Sequence, residues 1–338
     1  MNATQMYDAL TDGRRKYVRV DELCYRAAER FPGVLPNADD LAAEAPRLQK
    51  DKRGLEKAGS LDLGGARVHR EGKAAVVTMH NPRFLNAEDE STLEPLEAAI
   101  DVALLDRKSE ICVLRGATVT HTRHAGKRLF GAGINLTHLY QGKIRYLWYL
   151  IRDFGFVNKI YRGLARPEVP PEEDSVEKLW IAAVEGFAIG GHCQILLTID
   201  QVIAADNAYM TLPARKEGII PGAANLRMAR HVGDRVARQA ILAERRLDCA
   251  SPEGRLMCDY IVTSEAMDAE IDRLVNHITG AGMVSAAGNR RALRIGEEPL
   301  DEFRRYFSVY TREQAQCHFS PALISNLERN WDAKNRRG

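Results

Sequence analysis

The sequence predicts an α/β fold, on three observations. From Ala66 onward, short strand-like runs alternate with helical segments, the pattern of a layered sheet covered by helices. Upstream, from Ala3 to about Leu61, the chain is charged, with apolar residues at helical spacing around Val18, Leu23, Ala27 and Phe31. That stretch is broken at Pro32-Gly33 and Pro36-Asn37, as helices are by such pairs. Beyond Ser251-Pro252 the pattern is mostly helical to the end. The expected organisation is a helical N-terminal extension over residues 1–65, a core over 66–265 and a helical C-terminal region over 266–338.

Each element has a local reason. Ala66–Met79 reads as two strands about a glycine turn, followed by the loop His80-Asn81-Pro82-Arg83. A helix follows over Leu93–Leu105, then a strand over Ile111–Arg115. Arg128-Leu129-Phe130 is a strand-like run into the small-residue turn Gly131-Ala132-Gly133-Ile134, with a helix at Leu136–Tyr140. The strand Trp180–Val184 ends in Glu185-Gly186. Between them, the Pro-rich acidic stretch Ala165–Asp174 reads as a surface loop, in the ordinary case a plain connector. There is no internal repeat and no low-complexity segment.

Composition excludes several classes of function. A chain of 338 residues with net charge +2 holds one large core and a smaller appendage. Charge is evenly mixed, with no Lys/Arg block interleaved with aromatics, so no nucleic-acid partner is expected. The apolar runs are too short for a bilayer and the start lacks a signal-peptide pattern, which predicts a soluble, cytoplasmic protein with no membrane partner. Six cysteines without Cys-x-x-Cys spacing read as reduced, mostly buried thiols and imply no structural zinc.

The stretch Val184–Leu197 carries the chemistry: a strand runs through Gly190-Gly191 into an apolar helix. Glycines let the backbone approach a ligand, and the first amides of a helix present unpaired donors to an anion. A lone Gly-Gly turn can equally be tight packing. The second turn, Gly131–Ile134, changes the reading, because two such turns can aim two amides at one oxygen.

Four motifs in order now carry a resemblance: Asn81-Pro82 to Asn86-Ala87, the Gly131-Ala132-Gly133-Ile134 turn, Gly186-Phe187-Ala188-Ile189-Gly190-Gly191, and Ile219-Ile220-Pro221-Gly222-Ala223-Ala224. They resemble the crotonase (enoyl-CoA hydratase/isomerase) superfamily over roughly residues 66–265. The resemblance implies a spiral of ββα units and an acyl-CoA substrate whose thioester oxygen is bound by the amides of Ile134 and Gly191. Ala132, Gly133, Asn135 and Gly190 would shape that oxyanion hole. It also implies a homotrimer or a dimer of trimers.

The departures narrow the activity. Hydratases of this superfamily place two glutamates where this chain has Gln194 and Ala214. Neither side chain moves a proton at neutral pH, so hydration is not expected. Glu217 is a nearby carboxylate that could substitute for those glutamates, the more ordinary reading being a solvated charge in the run Ala214-Arg215-Lys216-Glu217. The helical extension, Gly191-His192-Cys193-Gln194 and the apolar Ile219-Ile220 resemble a branch of dioxygenases acting on an arylacetyl-CoA. That branch implies molecular oxygen as co-substrate, with no metal and no organic cofactor. No nicotinamide or flavin fingerprint is present, and His69-Arg70-Glu71 lacks a further placed histidine for an iron site.

Residue roles follow from that branch. Glu88 would hydrogen-bond a ring hydroxyl, against the alternative of a solvent-facing carboxylate in a helix's first turn. Arg152 would do likewise or steady the site's charge, with Arg145 the competing position and a surface salt bridge the alternative. Gln194 would orient substrate or peroxide, and Ile134 and Ile219 would line a dry oxygen pocket. His192 reads as a structural histidine beside the turn or as an acid or base, and Cys193 as small core filler. His121-Thr122-Arg123-His124, beside Lys127 and Arg128, reads as a basic lip for the phosphates of coenzyme A. Two other classes of function remain: a crotonase-fold hydrolase, isomerase or hydratase, and a non-catalytic scaffold that binds CoA thioesters.

Overall fold

The computed structural model describes residues 38–165 and 175–336. Most of the helical reading upstream of Ala38, and the Pro-rich stretch from Arg166 to Asp174, lie outside the described residues. The chain enters through helix α1 (Ala38–Ala58) and strand β1 (Ser60–Asp62), a strand that the sequence reading of the extension does not include. Then come β2 (Ala66–Glu71), β3 (Ala74–Met79), α2 (Glu90–Leu105) and β4 (Ile111–Gly116). Helix α2 starts three residues earlier than its apolar pattern, because Asp89 accepts from Ser91 N while the Thr92 hydroxyl accepts from Asp89 N, a capping box.

After β4 the chain runs through α3 (Leu136–Tyr140), α4 (Tyr146–Arg152), a π-helical turn (Asp153–Val157) and α5 (Asn158–Arg162). The pair β5 (Leu164–Ala165) and β6 (Ser175–Val176) is followed by β7 (Trp180–Val184), β8 (Phe187–Ile189) and α6 (Gly191–Leu196). Next are β9 (Gln201–Ala205), β10 (Tyr209–Thr211), α7 (Ala214–Glu217), α8 (Ala224–Ala243), β11 (Leu247–Asp248) and β12 (Tyr260–Val262). Four helices close the chain: α9 (Met267–Gly280), α10 (Met283–Glu297), α11 (Leu300–His318) and α12 (Pro321–Trp331).

The large sheet has seven strands in the order β1-β2-β3-β4-β7-β9-β12, and a small sheet runs β11-β10-β8. From β3 to β12 the large sheet is parallel. Every residue of β4 and β7 is buried, as expected of parallel strands covered on both faces. Buried side chains such as Trp180, Phe130 and Ile181 stabilise this core by roughly 1.5–3 kcal/mol each.

The two sheets are built by one repeated move. Strand β7 lies in the large sheet, Gly186 turns the chain, β8 lies in the small sheet and α6 follows. Strands β9 and β10 and helix α7 repeat this. In two earlier turns the second strand is reduced to a single bridge: Glu88 pairs with Ile134 before α2, and Gly131 pairs with Ala188 before α3. This explains why Arg128-Leu129-Phe130, strand-like in sequence, forms no strand: the segment makes isolated bridges only, through Arg128 to Thr118 and through Gly131 to Ala188. The ends of these ββα units converge on one pocket.

Candidate active site

Glu88 is placed by the asparagines before it. Asn86 Nδ2 donates to the carbonyls of Ala117 and Leu129, both at 2.8 Å, and Asn81 Nδ2 donates to Ala87 O at 2.8 Å. The bridge between Glu88 and Ile134 then forms through Glu88 N to Gly133 O (2.7 Å) and Asn135 N to Glu88 O (2.8 Å). This register leaves the Ile134 N–H outside the ladder. The other amides of the turn are spoken for: Gly131 N donates to Phe187 O, Ala132 N to Leu85 O, and Gly133 N to His192 Nδ1 at 2.9 Å.

The facing turn repeats the arrangement. Gly190 N donates to Thr211 O at 2.8 Å, while Gly191 N, first in α6, has no intrahelical acceptor. The turns pack backbone on backbone. A Cβ on Gly133, at φ +78°, would lie 2.8 Å from Ile189 O and 3.2 Å from Gly191 N, so only glycine fits there. The two unpaired amides therefore belong to turns in direct contact.

Beneath them lies a buried charge network. Arg152, at the end of α4, donates from Nε to Glu88 Oε1 (2.8 Å), from Nη1 to Asp153 Oδ1 (2.7 Å) and Gln194 Oε1 (3.2 Å), and from Nη2 to Gly191 O (2.8 Å). Burial alone would lower the guanidinium pKa, but the carboxylates of Glu88 and Asp153 reverse this and raise it, so the cation is fixed. Burial pushes Asp153 up against the pull of Arg152 and Arg227. Burial also pushes His192 down to about 4, so the imidazole is neutral and its Nδ1 is free to accept from Gly133 N. His192 thus braces the first turn through this hydrogen bond.

The pocket is lined by Glu88, Ile134 and Gly191 on this side, and by Gln194, Ala214, Glu217 and Ile219 on the other. Trp148, Tyr149 and Tyr310 supply bulky walls. The enclosed space is about 30 Å³, room for one or two waters.

Residues 69–294 match the enoyl-CoA hydratase/isomerase family. The chain belongs to this family. It is 38% identical to the (3,5-dihydroxyphenyl)acetyl-CoA 1,2-dioxygenase of Amycolatopsis orientalis, over 96% of this chain and 83% of that protein. It is 28% identical to a short-chain-enoyl-CoA hydratase of Clostridium acetobutylicum, over 70% of this chain and 83% of the relative. Among solved structures, an enoyl-CoA hydratase from Mycobacterium avium subsp. paratuberculosis K-10 superposes with TM-score 0.64 at 20% identity, covering 82% of this chain and all of that one. An enoyl-CoA hydratase/isomerase from Xanthobacter autotrophicus Py2 gives TM-score 0.65 at 22% identity, covering 80% and 94%. The fold is therefore the crotonase fold, as its ββα repeat requires.

Of the residues expected at the family's pocket, the structure gathers Glu88, Gly133, Ile134, Arg152, Gly190, Gly191, Gln194 and Ile219. Arg145, the competitor of Arg152, is exposed and pairs with Glu90 at 3.0 Å. Asn135 caps α3 by accepting from His138 N and does not line the pocket. Ala132 likewise lies outside the lining. Cys193 is buried and its thiol is pushed up to about 12, so it is core filler. The segment His121-Thr122-Arg123-His124 also lies outside the lining, with the His124 ring edge-on to Phe187 at 5.8 Å.

One expectation is overturned. Glu217 is not a solvated charge: it is 5% exposed and lines the pocket. In α7, Ala214 and Glu217 are three apart and share the inward face, leaving Arg215 and Lys216 outside. Burial, with Glu244 adding to it, pushes its carboxyl up to about 8. Sequence reasoning also missed Asp153, Trp148, Tyr149 and Tyr310. Asp153 adjoins Arg152 and was findable as its partner, whereas Tyr310 comes from a C-terminal helix well beyond the last motif, which ends at Ala224.

Proposed function

We propose that this family member is a cofactor-independent dioxygenase that converts 3,5-dihydroxyphenylacetyl-CoA and O2 to 3,5-dihydroxyphenylglyoxylate and free CoA. In this reading that product is a precursor for glycopeptide antibiotics. The carrying observation is the pocket wall: two free amides in facing turns are kept, while the paired-glutamate positions hold Gln194 and Ala214. A site built this way stabilises an enolate but lacks the acid–base pair for adding water. The 38% identity to a dioxygenase of that substrate supports the same reading.

The amides of Ile134 and Gly191 would hold the thioester oxygen as an α-proton leaves, each donor being worth about 10²–10³ in rate. The electron-rich enolate passes one electron to O2, and recombination forms a C–O bond at the α-carbon. The distal peroxide oxygen attacks the thioester carbonyl and expels the CoA thiolate, which takes up a proton. Loss of the second α-proton with O–O cleavage leaves an α-keto acid holding both atoms of O2. Glu88 and Arg152 face the ring hydroxyls, and Ile134 and Ile219 keep the oxygen site dry.

An apolar cavity of about 150 Å³ holds a benzene ring, so the 30 Å³ now enclosed has to widen for the aryl group. The bulky side chains bordering this space are Trp148 and Tyr149 on α4 and Tyr310 on α11. The deciding experiment follows oxygen consumption and thiol release together, with metal-stripped protein and 3,5-dihydroxyphenylacetyl-CoA. A coupled rise is expected; thiol release without oxygen uptake would make the protein a thioesterase and end the dioxygenase reading. A hydratase or isomerase activity is the second reading, favoured by the buried carboxyl of Glu217, and it predicts turnover of an enoyl-CoA that is indifferent to oxygen.

A further inference from the structure

We propose that Glu217 is the base that takes the α-proton from the bound acyl thioester. This rests on the enolate reading above and assigns the step which that reading leaves open. The argument is by elimination within one pocket. Its ionisable lining residues are Glu88, Arg152, Asp153, Tyr149, Tyr310 and Glu217. Glu88 and Asp153 both accept from Arg152, at 2.8 and 2.7 Å, so neither takes a proton from carbon without giving up a charge-assisted hydrogen bond. Arg152 keeps its proton, and burial drives the phenols of Tyr149 and Tyr310 well above their ordinary range.

Glu217 differs from all of these. It is buried, it lines the pocket beside Ala214 and Gln194, and its carboxyl has no hydrogen-bond or ion-pair partner among the described residues. A pocket-lining polar group left without a protein partner is open to a substrate contact. With its carboxyl held near pH 8, the base and the acid forms are both accessible at neutral pH, as proton transfer to and from carbon requires.

Its surroundings set this value: burial leads, and among the described residues no cation opposes it. From α8, Glu244 is the like charge that raises it, itself paired with Arg215. Helix α4 presents Tyr149, and the Arg152–Asp153 pair at its end lines the same pocket; α11 presents Tyr310. Helix α12 packs Leu323 and Asn326 against the adjacent Gly218, and α6 contributes the neutral Gln194. In the step itself the Cα–H bond breaks, its electron pair forms the enolate double bond, and the carbonyl pair moves onto the oxygen held by the two amides. The proton passes to a Glu217 carboxylate oxygen and is available later for the departing CoA thiolate.

The test separates this assignment from the reading it rests on. 3,5-Dihydroxyphenylacetyl-CoA is incubated with the full chain in D2O without oxygen, and loss of the α-proton signal is followed by NMR across pH 6–9.5. Wild-type protein is expected to exchange the α-protons at a rate that climbs to a plateau above about pH 8. In Glu217→Gln, which is isosteric, exchange should fall by about 10²–10⁴ and lose that pH dependence, with thioester affinity retained. Glu217→Asp should exchange slowly with the profile kept, and it carries the test if the glutamine variant does not fold. Equal exchange by wild type and either variant overturns Glu217 alone. Wild-type protein that binds the thioester and exchanges nothing overturns both Glu217 and the enolate reading.

Discussion

At the residue scale, the site depends on what is absent as much as on what is present. A Cβ at Gly191 would lie 2.0 Å from Glu88 Oε2 and 2.9 Å from Arg152 Nη2, so a methyl group there pushes the turn off its charge network. Gly191→Ala is expected to lower kcat by about 10²–10³ with the fold intact, as loss of one oxyanion donor does; steady-state thiol release with circular dichroism checks it. Arg152 behaves differently, because it holds Glu88, Asp153, Gln194 and the Gly191 carbonyl together. Arg152→Met leaves two buried carboxylates uncompensated, and a loss of about 3–5 kcal/mol in denaturant unfolding is expected along with loss of activity. Wild-type stability in that variant would show that the network is not held by Arg152.

At the element scale, the C-terminal helices are fastened to the core by buried charge. Glu298, at the junction of α10 and α11, is fully buried and accepts from Arg162 (3.0 Å), Arg227 (2.8 Å) and Arg230 (2.9 Å). Burial works against ionisation, yet Arg227 leads the cations in holding this carboxyl below its ordinary value. Glu298→Ala strands the buried Arg162 and Arg227, while Arg230 keeps Glu302 at 3.5 Å, so about 3–5 kcal/mol is lost, and hydrogen exchange should quicken first in α10 and α11. This matters to the site because α11 supplies Tyr310. Such contacts mark the limit of what the sequence discloses. The strands Trp180–Val184 and Ile111–Gly116 and the helix Leu136–Tyr140 were legible from apolar runs and turn residues, and the two glycine turns from their composition. The edge strand Ser60–Asp62 was not, since three residues with one half-buried leucine carry no periodicity. Glu217 was misread because a four-residue charge run shows no inward face until the turn before Gly218 is known to be helical.

At the scale of the whole molecule, the expected assembly and the pH response can each be measured. The family resemblance implies a homotrimer or a pair of trimers, so light scattering should give a mass that is three or six times the 37.8 kDa chain; a monomer would refute it. The pH response follows from opposing groups. His192 and His318 are both pushed down to about 4 by burial. A histidine with a lowered folded pKa contributes stability above its unfolded value near 6.5, and that stability is lost as pH falls toward 4. Asp106 and Glu177, held at about 2 against burial by Arg70 and by Arg294, extend the loss from pH 4 toward 2. Glu217 acts in the other direction: a carboxyl raised to about 8 contributes stability below its unfolded value near 4.5, lost as pH rises through 8. Burial raises Asp153 and Asp200 in the same sense. The melting temperature should therefore peak between these limbs, near pH 6–7, and decline on both sides. Glu217→Gln removes the largest unpaired contributor to the alkaline limb, so its melting temperature should exceed that of wild type at pH 8.5 and match it near pH 5. Identical curves for the two proteins would mean that Glu217 titrates in the folded chain as it does in the unfolded one, and that its buried carboxyl is hydrated.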